Sequence, residues 1–208
     1  MKTIGRVAFA LVALALVLAL SSYLFVRGHG FSARAKPGEL ETFLARAARR
    51  LAIPTGVRDL KNPVPASAEA LRLGLEHFAD HCAMCHANDG SGNTEMGRGL
   101  YPKAPDMRLE ATQSLTDGEL YYIIENGVPL TGMPAWGTAT PDGEAASWHL
   151  VQFIRHLPEL TETELKEMDA MNPKSAEEWH QEQEIRRFLE GEGEARKPAV
   201  PEHNRGGS

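Results

Sequence analysis

The sequence predicts an all-α protein, and three observations carry that expectation. Apolar residues recur at helical spacing in several stretches, helix-start signals of the Ser/Thr-x-x-Glu type occur repeatedly, and no segment shows the alternation of a half-buried strand. Of the 208 residues, 42% are hydrophobic and 24% charged. Both values are close to globular averages, which argues against wholesale disorder and against a polytopic membrane fold. A net charge of −6 argues against nucleic acid as a partner, because neutralising phosphates needs clustered excess cations. The charge is segregated: residues 1–61 carry +7, residues 62–158 carry −7 and residues 159–208 carry −6.

The first element is a membrane anchor, residues 1–26. From Val7 to Val26 twenty residues run without charge, between Lys2 and Arg6 before and Arg27 after. As a helix, residues 7–26 span about 30 Å, the thickness of the lipid hydrocarbon core. A removed secretory signal is the alternative. Against cleavage, the apolar run exceeds an ordinary signal core, and the small-x-small site Ala33-Arg34-Ala35 lies well beyond it. Positive residues flank the span on both sides, so charge does not decide its orientation.

Residues 27–66 follow as an amphipathic helix and a linker. Over 39–52, Leu40, Phe43, Leu44, Ala47 and Leu51 share one face, with Arg46, Arg49 and Arg50 elsewhere. Pro54, Pro63 and Pro65 break regular structure, so 53–66 reads as the linker. Ser67 is placed to cap a helix running to about Asp80, with Leu71, Leu75 and Phe78 on one face. The Gly-, Pro- and Asn-rich segment 87–115 lacks sustained periodicity, and a loop that long is usually functional or wrapped around something. Thr116 and Glu119 form a capping box with Leu115 and Leu120 as its hydrophobic staple, and Asn126-Gly127 ends that helix. Thr140-Pro141 opens the next, whose apolar face is Trp148, Val151, Phe153 and Ile154. Thr161/Glu164 and Ser175/Glu178 are further capping boxes, Gly191 is a stop, and residues 192–208 read as a disordered tail.

Chemistry concentrates at Cys82-Ala83-Met84-Cys85-His86, the spacing used for covalent attachment of c-type haem. Two thiols one helical turn apart match two vinyl groups, and the adjacent histidine falls under the iron. A thioredoxin-like dithiol lacks the βαβ flanks it needs. A zinc site would need a second ligand pair; His77 and His81 are near, but there is no second cysteine pair.

With these residues in place, residues 67–158 resemble the class I c-type cytochromes. Gly74, Phe78 and Cys82 follow the family spacing ahead of Cys85-His86. Gly90, Gly92, Pro102, Pro105 and Asp106 resemble the loop on the proximal side, and Gly132-Met133-Pro134-Ala135-Trp136 the segment that brings in the distal methionine. The helix around Trp148–Leu157 resembles the one that crosses the first helix. Ala87 departs from the glycine many relatives carry there, with only local backbone consequences expected.

The resemblance implies a helical domain wrapped around one covalent haem c, bound through Cys82 and Cys85, with His86 and Met133 as axial iron ligands. A soft thioether opposite histidine suits electron transfer. Met84, Met96 and Met107 read as core filler, and His149 and His156 as surface or partly packed histidines. Tyr101 and Trp136 are candidates for packing on the macrocycle, and Arg98 and Arg108 for pairing with propionates, although an exposed loop arginine is the default. Pro102 or Pro105 is expected to present the carbonyl that orients His86, with the choice open.

The expected function is that of a membrane-tethered single-electron carrier in a respiratory chain. Its partners would be redox proteins in or at the membrane, and it would not itself be an enzyme. It would sit in the bacterial cytoplasmic membrane as a single-pass protein with the haem domain, residues 67–158, facing the periplasm. Attachment needs reduced thiols, so no structural disulfide is expected. The alternative is a fixed haem-bearing subunit of a larger membrane oxidoreductase, because the acidic helical extension 159–208 and the amphipathic segment exceed what a minimal carrier needs. A haem that loses its sixth ligand and binds peroxide or a gas is a third class, which requires Met133 to be labile.

Overall fold

The computed structural model describes residues 2–30, 32–174 and 176–189, and among these every regular element is helical. The tail 192–208, the stop at Gly191 and the cap at Ser175 fall outside the described residues. α1 (Lys2–His29) contains a stretch, Thr3–Gly28, long and apolar enough to cross a membrane and buried against nothing else in the protein.

The centre of the fold is the crossing of α4 (Ala68–His77) with α9 (Pro141–His156). α4 starts where Ser67 accepts the amide of Ala70, a cap of about 1 kcal/mol. α9 starts at Thr140, which accepts from the amide of Gly143, with Pro141 in the first turn. The helices touch because Gly74 has no side chain: a Cβ there would overlap the carbonyl of His149. The glycine's helix-propensity cost of about 1 kcal/mol is offset by this close approach. Phe78 and Phe153, both fully buried, close the contact with ring centroids 5.0 Å apart. Leu75, Leu150, Val151, Ile154 and Leu157 complete the core, and Trp148 stacks on Tyr121 at 4.2 Å.

The expected helix 67–80 runs further than its pattern suggested. α4 passes into a π-helical stretch, Phe78–Cys82, and then α5 (Ala83–His86). The expected loop 87–115 holds two short helices, α6 (Glu95–Gly99) and α7 (Glu110–Gln113), too short to show a period. α8 (Asp117–Asn126) is capped by Thr116 and Glu119 and stopped by Gly127 in the left-handed region, φ 66°.

Residues 53–66 are more structured than a linker. Ile53 is buried, and α3 (Thr55–Arg58) packs on α8 so closely that a Cβ on Gly118 would overlap the Val57 carbonyl. Asn62 donates to the carbonyl of Trp148 at 2.9 Å, and Gln152 to that of Val64 at 2.8 Å, tying the segment to α9. After a 3₁₀ turn at Leu157–Glu159, α10 (Glu162–Met171) returns to the core through the fully buried Met168. The His156 Nε2 sits 2.8 Å from Glu164, and Asn88 donates to Asp169 at 2.7 Å. α10 is thus part of the packed domain, whereas α11 (Ala176–Leu189) leaves Trp179, Ile185 and Phe188 exposed.

Candidate haem-binding site

The π-helical stretch sets the site's geometry. One extra residue in the turn rotates the downstream side chains by about 100°: Phe78, Ala79 and Ala83 lie in the core, with Cys82 packed against it, while Met84, Cys85 and His86 are partly or fully exposed. Cys82 is half-buried and packed against the core, and burial, then the neighbouring Cys85, pushes its thiol up to about 12. Burial raises Cys85 as well. Both cysteines are free of disulfide, the reduced state that thioether formation would require.

His86 closes α5. Burial lowers its pKa, and the carbonyl of Pro105 opposes that as a hydrogen-bond acceptor. The buried Nδ1 nonetheless has no partner in bonding geometry; the carbonyl is near enough to act on the ring and short of a completed bond. Of the two prolines expected to orient His86, Pro105 is the one the structure brings to it.

The next residue reverses the chain. Ala87 has φ 61° and ψ 157°, a region that is nearly glycine-only and costs on the order of 1–3 kcal/mol for other residues. The Ala87 departure is therefore a local strain, as expected. Beyond it the loop folds back beneath α5. The amide of Gly92 donates to the His86 carbonyl at 2.7 Å, and that of Met107 to the Gly90 carbonyl at 2.8 Å. Thr94 caps α6 by accepting from Gly97, and its hydroxyl donates to the Cys85 carbonyl at 3.2 Å. A Cβ at Gly97 would overlap that same carbonyl. Sequence reasoning misses Thr94 and Gly97; the cap pattern Thr94-Glu95 is the signal that could have found them.

Met133 lies in a loop pinned to the end of α8. The Val128 amide donates to the Met133 carbonyl at 3.1 Å, Met133 donates to the Thr131 hydroxyl at 3.1 Å, and Trp136 to the Ile124 carbonyl at 3.0 Å. Two contacts tie this loop to the rest of the site: Gly132 against Leu100, just after α6, and Trp136 edge-on to His81, next to Cys82, with ring centroids 5.4 Å apart.

The other candidates separate. Met107 is buried, but Met84 and Met96 are about half exposed, so only the first fills the core. Tyr101 donates to Glu41 at 2.6 Å, Arg98 to Asn93 at 2.6 Å, and Arg108 to Asp106 and Asp89 at 2.7 and 2.9 Å. Among the described residues, no three of His, Cys, Asp and Glu gather as a metal-binding set. Two free thiols one turn apart, the adjacent half-buried imidazole of His86 and a backbone cradle lined by Gly92 and Gly97 fit a haem.

The fold and these residues support a c-type cytochrome domain, a class whose cofactor is haem, and α1 carries a stretch long and apolar enough to cross a membrane. Residues 69–154 match the family described as cytochrome c oxidase, cbb3-type, subunit III. Similar proteins are the cbb3-type cytochrome c oxidase subunit FixP of Azorhizobium caulinodans, 35% identical over 86 residues, which cover 39% of this chain and 26% of that protein. FixP of Sinorhizobium medicae and FixP of Rhizobium meliloti are each 37% identical over 73 residues, covering 35% of this chain and 23% of theirs. The matched stretch spans about a quarter of these relatives' own length.

Proposed function

We propose that this chain is a haem-bearing electron-transfer subunit of a membrane oxidase complex, with one haem c bonded to Cys82 and Cys85 and held by His86 and Met133. The observation that carries the reading is the match of residues 69–154 to a family described as an oxidase subunit. It favours the fixed subunit over the free carrier that composition and motif suggest.

When bound, haem c supplies a one-electron couple, and His with Met as axial ligands gives a comparatively high potential suited to electron transfer. The chain's own residues set the geometry. The Pro105 carbonyl lies toward the His86 ring, Thr94 and Gly97 hold the backbone at Cys85, and the bonds at Val128 and Trp136 fix the Met133 loop. Trp136 against His81 and Leu100 against Gly132 bring the Met133 loop toward the segment that carries the cysteines. The domain would face the periplasm, the side on which haem attachment occurs in this class.

Mild detergent extraction from native membranes tests the assignment. Stoichiometric copurification with other oxidase subunits is expected; recovery as a lone, haem-loaded polypeptide would return the chain to the carrier class. The ligand set has its own test. The pyridine haemochrome spectrum should report covalent haem c at one per chain, and Met133→Ala should lower the reduction potential. An unchanged potential removes Met133 from the iron.

A further inference from the structure

α2 (Glu39–Ala52) is mounted the wrong way round for a soluble protein. Its apolar stripe is bare: Leu40 is 71% exposed, Phe43 67%, Leu44 56% and Leu51 86%. The side that leans on the domain is polar. Arg49, about 180° round the helix from Leu51 and Leu40, is half-buried. Its pKa is lowered by burial and by Arg46, with Glu119 opposing. Thr42 beside it is half-buried, and Glu41 accepts from Tyr101. The buried Ile53 and the α3–α8 contact fix the helix's far end.

From this geometry we propose that α2 lies in the headgroup layer of the bilayer that α1 enters, its Leu40/Phe43/Leu44/Leu51 stripe sunk into lipid. Three further facts favour lipid as the occupant. Residues 30–38 separate α1 from α2, and nine residues reach at most about 30 Å, so α2 cannot leave the vicinity of the membrane surface. Residues 32–52 hold five Lys and Arg against two Glu, the excess that anionic headgroups attract. Arg46 and Arg50 flank the stripe on one side, so their guanidinium ends reach headgroups while the stripe contacts acyl chains. The consequence is orientation. Glu41 holds Tyr101, Leu100 adjoins Gly132, and Met133 is the next residue, so a helix fixed in the interface presents the Met133 side of the domain at a set height above the membrane. The inference rests on α1 as anchor and does not depend on the oxidase assignment.

The test is photocrosslinking of the full-length, haem-loaded chain in its native membrane. Benzoylphenylalanine replaces Leu44 in one variant and, in a second, Ala45, which is exposed about 100° round the helix and off the stripe. Neither side chain is in the core, so folding is preserved, and the visible spectrum checks that. Mass spectrometry of the helix peptide should show lipid adducts in several-fold excess at position 44 over position 45. Equal lipid adducts at both positions would overturn the proposal, and so would a protein adduct at position 44, which would assign the stripe to a neighbouring chain.

Discussion

α9 and α2 are both amphipathic helices of similar length, and they meet opposite fates. α9 buries Trp148, Leu150, Val151, Phe153 and Ile154 against α4 and α8, and turns its polar side outward. α2 turns Arg49 and Thr42 inward and leaves its leucines and Phe43 bare. The difference teaches that helical periodicity says a face needs covering and says nothing about what covers it. In α9 the missing side chain of Gly74 supplies the seat. At α2 the surface offered by the domain is polar, Glu119, Arg58 and Tyr101, and it selects the arginine side.

The sharpest way to break the comparison is to truncate equivalent aromatic residues. Phe153→Ala, fully buried against Phe78, should cost about 3–5 kcal/mol, the range for a core phenylalanine. Chemical denaturation of the haem-loaded protein in detergent measures it. A loss under about 1 kcal/mol would mean that the α4–α9 seat is not the core of this fold.

A smaller change of opposite sign lies at the site. Ala87→Gly relieves a backbone conformation with φ 61° and should stabilise the folded protein by about 1 kcal/mol, after the extra unfolded-state entropy of glycine is subtracted. A destabilised variant in the same denaturation series would show that Ala87 is held by contacts, not strained.

These two sites also mark how far the sequence could be read. Phe153 and the helix carrying it were legible because a buried face repeats every three to four residues and its ends are written in Thr140, Pro141 and the turn after His156. The Cys82-x-x-Cys85-His86 segment stood out because covalent haem attachment would dictate such a spacing of two cysteines and a histidine. The features that escaped are those that periodicity does not encode. The π-helical stretch Phe78–Cys82 has no periodic signal of its own; it is seen only where Phe78 meets Phe153 and the helix continues into α5. The choice of Pro105 over Pro102 depends on a loop path fixed by Gly92 and Thr94. The end of the packed domain, placed at residue 158, moves to α10 because one side chain, Met168, fills the core, and a single methionine leaves no pattern.

The α9 end also carries a pH dependence. Glu164 is partly desolvated, which raises its pKa, but hydrogen bonds from Thr161 and the His156 contact outweigh that and hold it below the ordinary carboxylate value of 4.5. A depressed carboxylate contributes stability that is fully present above the unfolded value and is lost as pH falls through the folded one. α10 should therefore loosen below about pH 4.5, seen as faster amide exchange at residues 165–171, and Glu164→Gln should flatten that dependence. An unaltered pH profile in the variant would transfer the effect to another carboxylate.

The smallest expected effect tests the other half of the comparison. Phe43→Ala removes a side chain as large as Phe153 from a helix of the same type, yet in detergent its stability should change by no more than about 0.5 kcal/mol, the range for exposed positions. A phenylalanine 67% exposed in the folded chain gains little from folding, because the hydrophobic term scales with area withdrawn from water. The two truncations differ only in what the folded domain offers the ring, so their gap isolates burial from helix propensity. A loss above about 2 kcal/mol at Phe43 would mean that the domain itself closes over α2, and the apolar stripe would then belong to the core rather than to a surface outside the chain.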